Sequence, residues 1–360
     1  MQGQPTSSGL SGWRGTGRKW RTRNPLLPPG ASSHPSSVVG RLKVFPTGKI
    51  FYCHPVFRCA YNHAVTRLWP EGDGVRLIDG LGLAGRIVLI CLLVSLLIFI
   101  QFPGGVRQYI HALAREVNRW GLLAGTRHLA SAEGKHFIVR YTPGYAQAAA
   151  VVLDAAELFY PRIAADFGVT LPAKVPVLIY QNMADLNRSF GWPADESTMG
   201  VYWAGTIRVV APAVWIGDAE PSRQAEVFQE VGPMAHEITH LFVDYVTRGN
   251  CPRWFNEGIA QYEEYRLTGF SFAPPEAVPP VIYTLDELHN FDYLPDQNLA
   301  YRQTFSMVAF LAGETGWSGL KAVMQRLGRG ETLDEALRAV VGWDTATWVR
   351  KWQDWLEERS

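Results

Sequence analysis

The sequence predicts an α+β domain that follows a single transmembrane helix. Segments with strand-like alternation come first after an apolar stretch, and helical segments follow them, which is typical of α+β domains. The apolar stretch itself contains no charged side chain. Charge is segregated around it: residues 1–86 carry twelve basic and three acidic side chains, whereas the rest of the chain carries 22 basic and 30 acidic ones.

The composition limits the class of protein. The chain has 360 residues, a net charge of +1 and 47% hydrophobic residues, which excludes a wholly disordered chain and a globally basic nucleic-acid-binding protein. We therefore expect no nucleic acid partner. Among the four cysteines only Cys251 lies beyond the apolar stretch, so the domain that follows has no internal disulfide and depends on its packed core.

The apolar stretch predicts a membrane anchor. Residues 87–102 read IVLICLLVSLLIFIQF, which at about 1.5 Å per residue covers about 24 Å of a hydrocarbon core about 30 Å thick. Residues 81–85 extend the span if Arg86 reaches the interface. We therefore expect a transmembrane signal anchor over residues 80–105, in contact with the lipid bilayer through residues 81–102.

The flanking residues predict the orientation of this anchor. Positive charge on its N-terminal side predicts a single-pass protein of the cell membrane with a cytoplasmic N-terminus and an extracytoplasmic main domain. No small-residue cleavage site follows Phe102, and the segment Pro103-Gly104-Gly105 ends the helix. This favours an uncleaved anchor over a signal peptide, which remains the alternative.

The segment before the anchor is compositionally biased. Residues 1–79 contain no acidic residue before Glu71, and their first half is rich in Arg, Ser, Gly and Pro. We interpret them as a basic, disordered cytoplasmic tail. An organelle transit peptide has a similar bias, and a mis-assigned start, with translation beginning downstream at a position such as Val75, is the third interpretation.

Beyond the anchor, residues 106–132 predict a helical or irregular stalk, and the compact domain begins near Gly134. Alternation and turn residues predict strands and one long helix in its first half. The strands are residues 136–141, 175–180 and 206–210, the last preceded by residues 200–203, and the helix is residues 145–167. Beyond Pro233 the pattern is mostly helical.

The segment HEITH, residues 236–240, carries the clearest chemical signal. It lies in a predicted helix that begins after Gly232-Pro233 and ends at Gly249. At 100° per residue His240 falls about 40° from His236, so the two imidazoles lie one turn apart on a polar face and can bind a single metal ion. Glu237 is displaced by about 100°, so it flanks the ion without ligating it.

A second motif follows sixteen residues later. The segment RWFNEGIAQYEE begins after Pro252, and we expect Glu257 in the first turn of a new helix, where its carboxylate completes the coordination. Two histidines and one glutamate leave a fourth position open for water, which is typical of a hydrolytic zinc site.

Together HEITH and WFNEGIAQYEE resemble the gluzincin metallopeptidases, and most closely their peptidase MA-like branch. The resemblance implies a zincin-like metallopeptidase domain, with a mixed N-terminal sheet and a helical C-terminal part. It also implies Zn²⁺ on His236, His240 and Glu257, with Glu237 as the catalytic carboxylate. In such a site zinc acidifies its bound water and polarises the scissile carbonyl, while Glu237 takes the water's proton and delivers it to the leaving amine.

The resemblance suggests further roles. Tyr301 stands where gluzincin-like proteins often present a tyrosine to the oxyanion, although a buried core tyrosine would look the same. Asp244 and Glu264 are candidate partners for a ligating imidazole, or else solvated helix charges. The strand around residues 200–210 is expected at the edge of the cleft, where it pairs with extended peptide.

The domain organisation then follows. We predict a tail, an anchor, a stalk, a metallopeptidase core with both motifs and a helical C-terminal subdomain, at residues 1–79, 80–105, 106–132, 133–275 and 276–360. The last part is expected to contain short helices over residues 301–313, 317–327, 332–341 and 345–357. Within it Trp348, Trp352 and Trp355 recur at helical spacing and predict a core stripe.

The expected activity is that of a membrane-anchored, extracytoplasmic zinc metallopeptidase acting on peptide or unfolded protein, and most simply an endopeptidase. One alternative is a binding or structural module that keeps the zinc site without turnover. Another is an aminopeptidase, but its relatives carry a Gly-Ala-Met-Glu-Asn motif, whereas this chain has Ser197-Thr198-Met199-Gly200 with no glutamate beside Met199.

Overall fold

The computed structural model describes residues 82–101, 103–195, 198–217, 219–277 and 282–359. The predicted tail, residues 1–79, and its alternative start at Val75 lie outside the described residues. Within them the architecture is mixed α+β, with strands in the first half and helices in the second.

Two helices come first, α1 (Leu83–Gln101) and α2 (Pro103–Gly125). Helix α1 coincides with most of the predicted anchor. Within the described part of the chain, no helix is both long enough and apolar enough to cross a membrane. The anchor therefore stays a prediction. Helix α2 covers most of the predicted stalk and packs against the strands of the domain.

The domain begins with a mixed five-stranded sheet. Its strands are β1 (Ala130–Glu133), β2 (Phe137–Tyr141), β3 (Val175–Tyr180), β4 (Gly200–Trp203) and β5 (Thr206–Val210). The spatial order is β1-β2-β3-β5-β4, with β2, β3 and β5 parallel and the two outer strands antiparallel to their neighbours. The predicted strands are confirmed, and β4 forms one edge of the sheet.

Further helices lie between and after the strands and lead to the motif-bearing part of the chain, and the first two of them pack against the sheet. They are α3 (Ala146–Phe167), α4 (Met183–Ser189), α5 (Ala213–Ile216) and α6 (Pro221–Val231). Helix α3 buries Val152, Ala156 and Phe159 in the same hydrophobic core as Val139 of β2 and Val177 of β3. This burial of aliphatic and aromatic side chains stabilises the domain without disulfides.

Helices α7 (Met234–Thr247) and α8 (Arg253–Thr268) carry the two motifs. Ile238, Leu241 and Phe242 of α7 are completely buried, so this helix runs through the core rather than along the surface. Gly258 of α8 permits a close approach behind the site, because a Cβ there would lie 2.5 Å from the carbonyl oxygen of Thr304.

The C-terminal part is helical, as predicted. It consists of α9 (Leu285–Leu288), a 3₁₀ turn (Phe291–Tyr293), α10 (Gln297–Leu327), α11 (Leu333–Val341) and α12 (Thr345–Glu357). Gly316, with φ of 67°, interrupts α10, so the two helices predicted on either side of it are separate segments. Of the predicted stripe, Trp348 and Trp352 are completely buried, and Trp355 is partly buried against the same core.

Candidate metal centre and active site

The crossing of α7 and α8 brings the three predicted metal ligands together. Nε2 of His236 and Nε2 of His240 each lie 3.4 Å from Oε2 of Glu257. All three side chains are buried, and their ligand atoms lie within 4.8 Å of one another. Two imidazole nitrogens and one carboxylate oxygen are a donor set that suits zinc.

Glu257 lies slightly deeper in its helix than expected. Helix α8 begins at Arg253, directly after the extended backbone of Pro252, so Glu257 is its fifth residue and not part of its first turn. The carboxylate therefore stands one turn after Arg253, whose Nε lies 3.6 Å from Oε1 of Glu257.

The other ring nitrogen of each histidine faces a residue of α8. Nδ1 of His236 lies 3.2 Å from Oε2 of Glu264, and Nδ1 of His240 lies 3.0 Å from Oδ1 of Asn256. In the neutral imidazole, an acceptor at Nδ1 favours the tautomer that carries its proton there, which leaves the lone pair of Nε2 for a metal ion. The surroundings of both imidazoles thus fit a bound metal ion.

The electrostatics of the site also fit a cation. Burial lowers the pKa of His236, but hydrogen bonds to Glu257 and Glu264 raise it to about 10. Burial raises the pKa of Glu257, but His240, His236 and Arg253 together lower it to about 2. The surrounding carboxylates therefore favour positive charge at this point, and a metal cation can replace the imidazolium proton.

Glu237 lies beside the ligands and is completely buried. Its Oε2 accepts a hydrogen bond of 2.5 Å from the backbone N–H of Tyr202 in β4, whereas its Oε1 has no hydrogen-bond partner among the described residues. Burial, reinforced by Glu257, raises the pKa of Glu237 to about 8, against the opposing effect of His236. A carboxylate with one oxygen held and a raised pKa is suited to accept and return a proton near neutral pH.

The remaining candidates separate into different positions. Glu264 contacts the imidazole of His236, a predicted ligand, as expected from the sequence. Asp244 does not: its carboxylate contacts His111, Arg115 and the hydroxyl of Tyr202. It lies two turns beyond His236 along α7, and this displacement carries it past the ligands toward α2.

Tyr301 is buried, with 4% of its surface exposed, and its ring contacts Phe291 edge-on at 4.9 Å between centroids. Its carbonyl oxygen accepts a hydrogen bond from Gln261, one turn after Glu257 on α8. This places the backbone of Tyr301 next to the ligand helix, and its role toward an oxyanion stays a prediction.

Two contributors were not predicted from the sequence, Asn256 and the backbone of Tyr202. Asn256 directly precedes the ligand Glu257, and a polar residue beside a predicted ligand is the signal that points to it. No sequence signal points to Tyr202, because it lies 35 residues before Glu237 and acts through its main chain.

Gly200 sets how closely the edge strand approaches Glu237. A Cβ at this position would lie 2.7 Å from Cβ of Pro233 and 3.2 Å from Cγ of Glu237. We expect Gly200→Ala to displace β4, to destabilise the protein by about 1–3 kcal/mol and to lower any turnover at the site by about tenfold or more.

Gly313 of α10 provides the matched control, because nothing lies within 4 Å of a Cβ built there. Gly313→Ala should stabilise the helix by up to about 1 kcal/mol and leave turnover unchanged. Thermal unfolding and initial rates measure both effects. Wild-type turnover in Gly200→Ala would contradict the steric argument.

The comparison with protein families agrees with this geometry. A family model described as the Peptidase MA superfamily matches residues 155–358, which is more than half of the chain and includes both motifs. The chain belongs to the Peptidase MA superfamily. No curated protein matches the chain significantly.

Membership of the Peptidase MA superfamily indicates how the buried His-His-Glu cluster is to be interpreted. The matched residues contain all three predicted ligands and Glu237. The family and the His-His-Glu cluster together support a peptidase of the metal-dependent type, with zinc as the metal that the donor set favours.

Proposed function

We propose that this protein is a zinc-dependent peptidase that cleaves within extended or unfolded polypeptide. The observation that carries the proposal is the convergence of Nε2 of His236, Nε2 of His240 and Oε2 of Glu257 beside the buried carboxylate of Glu237. A bound Zn²⁺ supplies a Lewis acid that activates water and polarises the scissile carbonyl.

Each residue then has a chemical task. His236, His240 and Glu257 hold the metal, and Glu264 and Asn256 orient the two imidazoles through Nδ1. Glu237 takes a proton from the attacking water and passes it to the amine nitrogen of the leaving peptide. The N–H of Tyr202 holds one carboxylate oxygen of Glu237, so the other oxygen is the one that moves the proton.

The edge of the sheet supports an extended substrate. Among the described strands, β4 pairs with β5 alone and lies at the edge of the sheet, beside Glu237. An edge strand next to the proposed catalytic carboxylate favours a peptide that binds by strand addition. No glutamate stands beside Met199 to bind a free amino terminus, so we favour an endopeptidase over an aminopeptidase.

The test uses the full chain in a membrane mimetic, with elemental analysis and a quenched peptide library assayed with and without chelator. We expect about one zinc per chain and chelator-sensitive cleavage, with N-acetylated peptides cleaved as readily as free ones. Zinc without any cleavage would favour the alternative of a binding module. A folded protein that takes up no metal would overturn the proposal.

We also propose that α1 anchors the protein to a membrane, with the catalytic domain outside the cytoplasm. Large apolar side chains along α1 are exposed and find no cover in the rest of the described chain: Leu83, Ile87, Val88, Ile90, Leu92, Leu93, Val94, Leu96 and Leu97. Exposed apolar surface on this scale favours a lipid environment. The charge segregation of the sequence favours the orientation.

Lipid contact is testable at a single position. A fluorescent residue at Leu93 in vesicle-bound full-length protein should be quenched by lipids brominated on their acyl chains. The control is the same residue at Leu158 of α3, because both leucines are 49% exposed. Equal quenching at the two positions would contradict an anchor in α1.

A further inference from the structure

Asp244, in the last turns of α7, is a buried carboxylate outside the metal site. It is 7% exposed, and it contacts side chains from two other elements. From α2 it receives Nε2 of His111 and Nη1 of Arg115, the latter at 3.4 Å from Oδ2. From β4 it receives the hydroxyl of Tyr202. A buried carboxylate with three partners is a rigid junction, because each partner lost leaves charge uncompensated.

Tyr202 connects this junction to the active site. Its hydroxyl donates to Oδ2 of Asp244 and accepts from the N–H of Gly205 at 2.9 Å. Its own backbone N–H donates to Oε2 of Glu237 at 2.5 Å. Tyr202 thus contacts Asp244 through its side chain and Glu237 through its main chain. A displacement of Asp244 would therefore move the hydrogen-bond donor that holds Glu237.

Helix α2 packs closely against the backbone at two glycines near Asp244 and Tyr202. A Cβ at Gly249, just after α7, would lie 2.6 Å from the ring of His111, and a Cβ at Gly205 would lie 2.6 Å from Cγ of Arg115. The guanidinium of Arg115 also lies 3.6 Å from the ring centroid of Tyr245. The missing side chains at two glycines let α2 approach the backbone on both sides of Asp244.

A second contact ties α2 to the turn between β4 and β5. Nδ2 of Asn118 donates to the carbonyl oxygen of Trp203 at 3.2 Å and to that of Ala204 at 2.9 Å. Ala204 has a φ of 39°, so this turn has a strained backbone that the helix holds in place. Helix α2 therefore contacts both the turn that follows Tyr202 and the carboxylate that binds its hydroxyl.

We propose that Asp244 and α2 position Glu237 for catalysis through Tyr202. The side chains of Asp244, Tyr202, His111 and Arg115 have a positioning role in this proposal, and none of them is a predicted metal ligand. The packing of α2 against both elements fixes the position of β4 relative to α7. The backbone N–H of Tyr202 therefore stays directed at Oε2 of Glu237. The inference rests on the proposed peptidase function and extends it to the segment that directly follows α1.

Tyr202→Phe is the sharpest variant, because it removes the hydroxyl and keeps the ring. We expect kcat to fall by about tenfold to a hundredfold while KM and bound zinc stay unchanged, since a misdirected carboxylate impairs the proton transfer and not the binding steps. Asp244→Asn should behave in the same direction. Amide hydrogen exchange at Tyr202 should become about tenfold faster in both variants of the full-length protein, as its bond to Glu237 loosens.

Asn250→Ser is the matched control for a merely structural effect. Nδ2 of Asn250 donates to the carbonyl oxygens of Leu327 and Glu331 at 2.8 and 2.9 Å, so the variant loses partly buried hydrogen bonds near the end of α7 without touching β4. It should lower the midpoint of thermal unfolding and leave kcat unchanged. An equal loss of kcat in Asn250→Ser would overturn the proposal.

Arg115→Met tests whether α2 acts through the same junction. It removes the guanidinium and keeps the stem that packs on Gly205. If both variants act through Asp244, the double variant with Tyr202→Phe should lose less kcat than the product of the single losses. A kcat loss in the double variant equal to the product of the two single losses would show that Arg115 and Tyr202 do not act through the same junction.

The remaining outcomes keep the two proposals apart. Wild-type kcat and unchanged exchange in Tyr202→Phe would overturn the positioning role while leaving the peptidase proposal intact. If the wild-type protein cleaves no peptide, the peptidase proposal fails, and the exchange rate at Tyr202 then decides alone whether Asp244 holds the N–H of Tyr202 against Glu237.

Discussion

We expect Glu237→Gln to lose nearly all hydrolysis while the protein stays folded and keeps any bound metal. The substituted amide has nearly the same shape and still accepts the hydrogen bond from the N–H of Tyr202. It has no proton-accepting oxygen with a useful pKa, so we expect turnover to fall by about 10²–10⁴-fold. The three ligand side chains are untouched, and the zinc content should match that of the wild type.

Two measurements check this prediction on the same sample, elemental analysis for zinc and initial rates on a cleaved peptide. The free energy of unfolding should change little or rise, because the substitution removes a completely buried carboxylate whose ionisation burial disfavours. Loss of zinc in Glu237→Gln would indicate that Glu237 is itself a metal ligand. Full activity of the variant would show that Glu237 is not the general base.

His240→Ala should lose both metal and activity. The substitution leaves two of the three converging ligands, and Oε2 of Glu257 loses an imidazole that lies 3.4 Å away. A ligand that binds only the folded state stabilises it by an amount that grows with the logarithm of its concentration relative to Kd, so zinc should raise the unfolding midpoint of the wild type and not that of the variant.

His289→Ala is the matched control, since His289 is an exposed histidine at the end of α9 whose Nδ1 hydrogen-bonds the carbonyl oxygen of Leu285. It should bind zinc with wild-type stoichiometry and cleave at the wild-type rate. A zinc-dependent stabilisation that survives in His240→Ala would place the metal elsewhere.

These two predictions rest on residues that the HEITH motif and its helical spacing identified. His236 and His240 are one turn apart on the same helix, and local geometry puts their imidazoles on one side whatever the rest of the fold. Glu257 was placed by the second motif, although the helix around it begins at Arg253, one residue too early for Glu257 to lie in the first turn. The strands at residues 175–180 and 206–210 were also predicted from local signals, because alternation and the turns that bound a strand are visible in consecutive residues.

Contacts between segments that are far apart in the sequence could not be predicted from such local patterns. Asp244 shares the polar face of α7 with the ligands, yet it contacts α2 rather than an imidazole. Its face on the helix follows from spacing, but its partner depends on which element packs against the last turns of α7. The contact between Tyr202 and Glu237 joins a strand to a helix 35 residues away, and it exists only because β4 forms the sheet edge beside α7.

By itself the sequence determined which groups are available for the proposed chemistry: a pair of histidines one helical turn apart, a carboxylate beside them, a third candidate ligand and a mixed α+β domain to hold them. Spacing along a helix is a local property, and local properties can be read residue by residue. Only the tertiary structure decided which groups orient that chemistry, namely Asn256 and Glu264 on the imidazoles, the N–H of Tyr202 on Glu237, and α2 against Asp244. Those contacts form between segments whose relative positions depend on the packing of the whole core, and no short stretch of sequence encodes that packing.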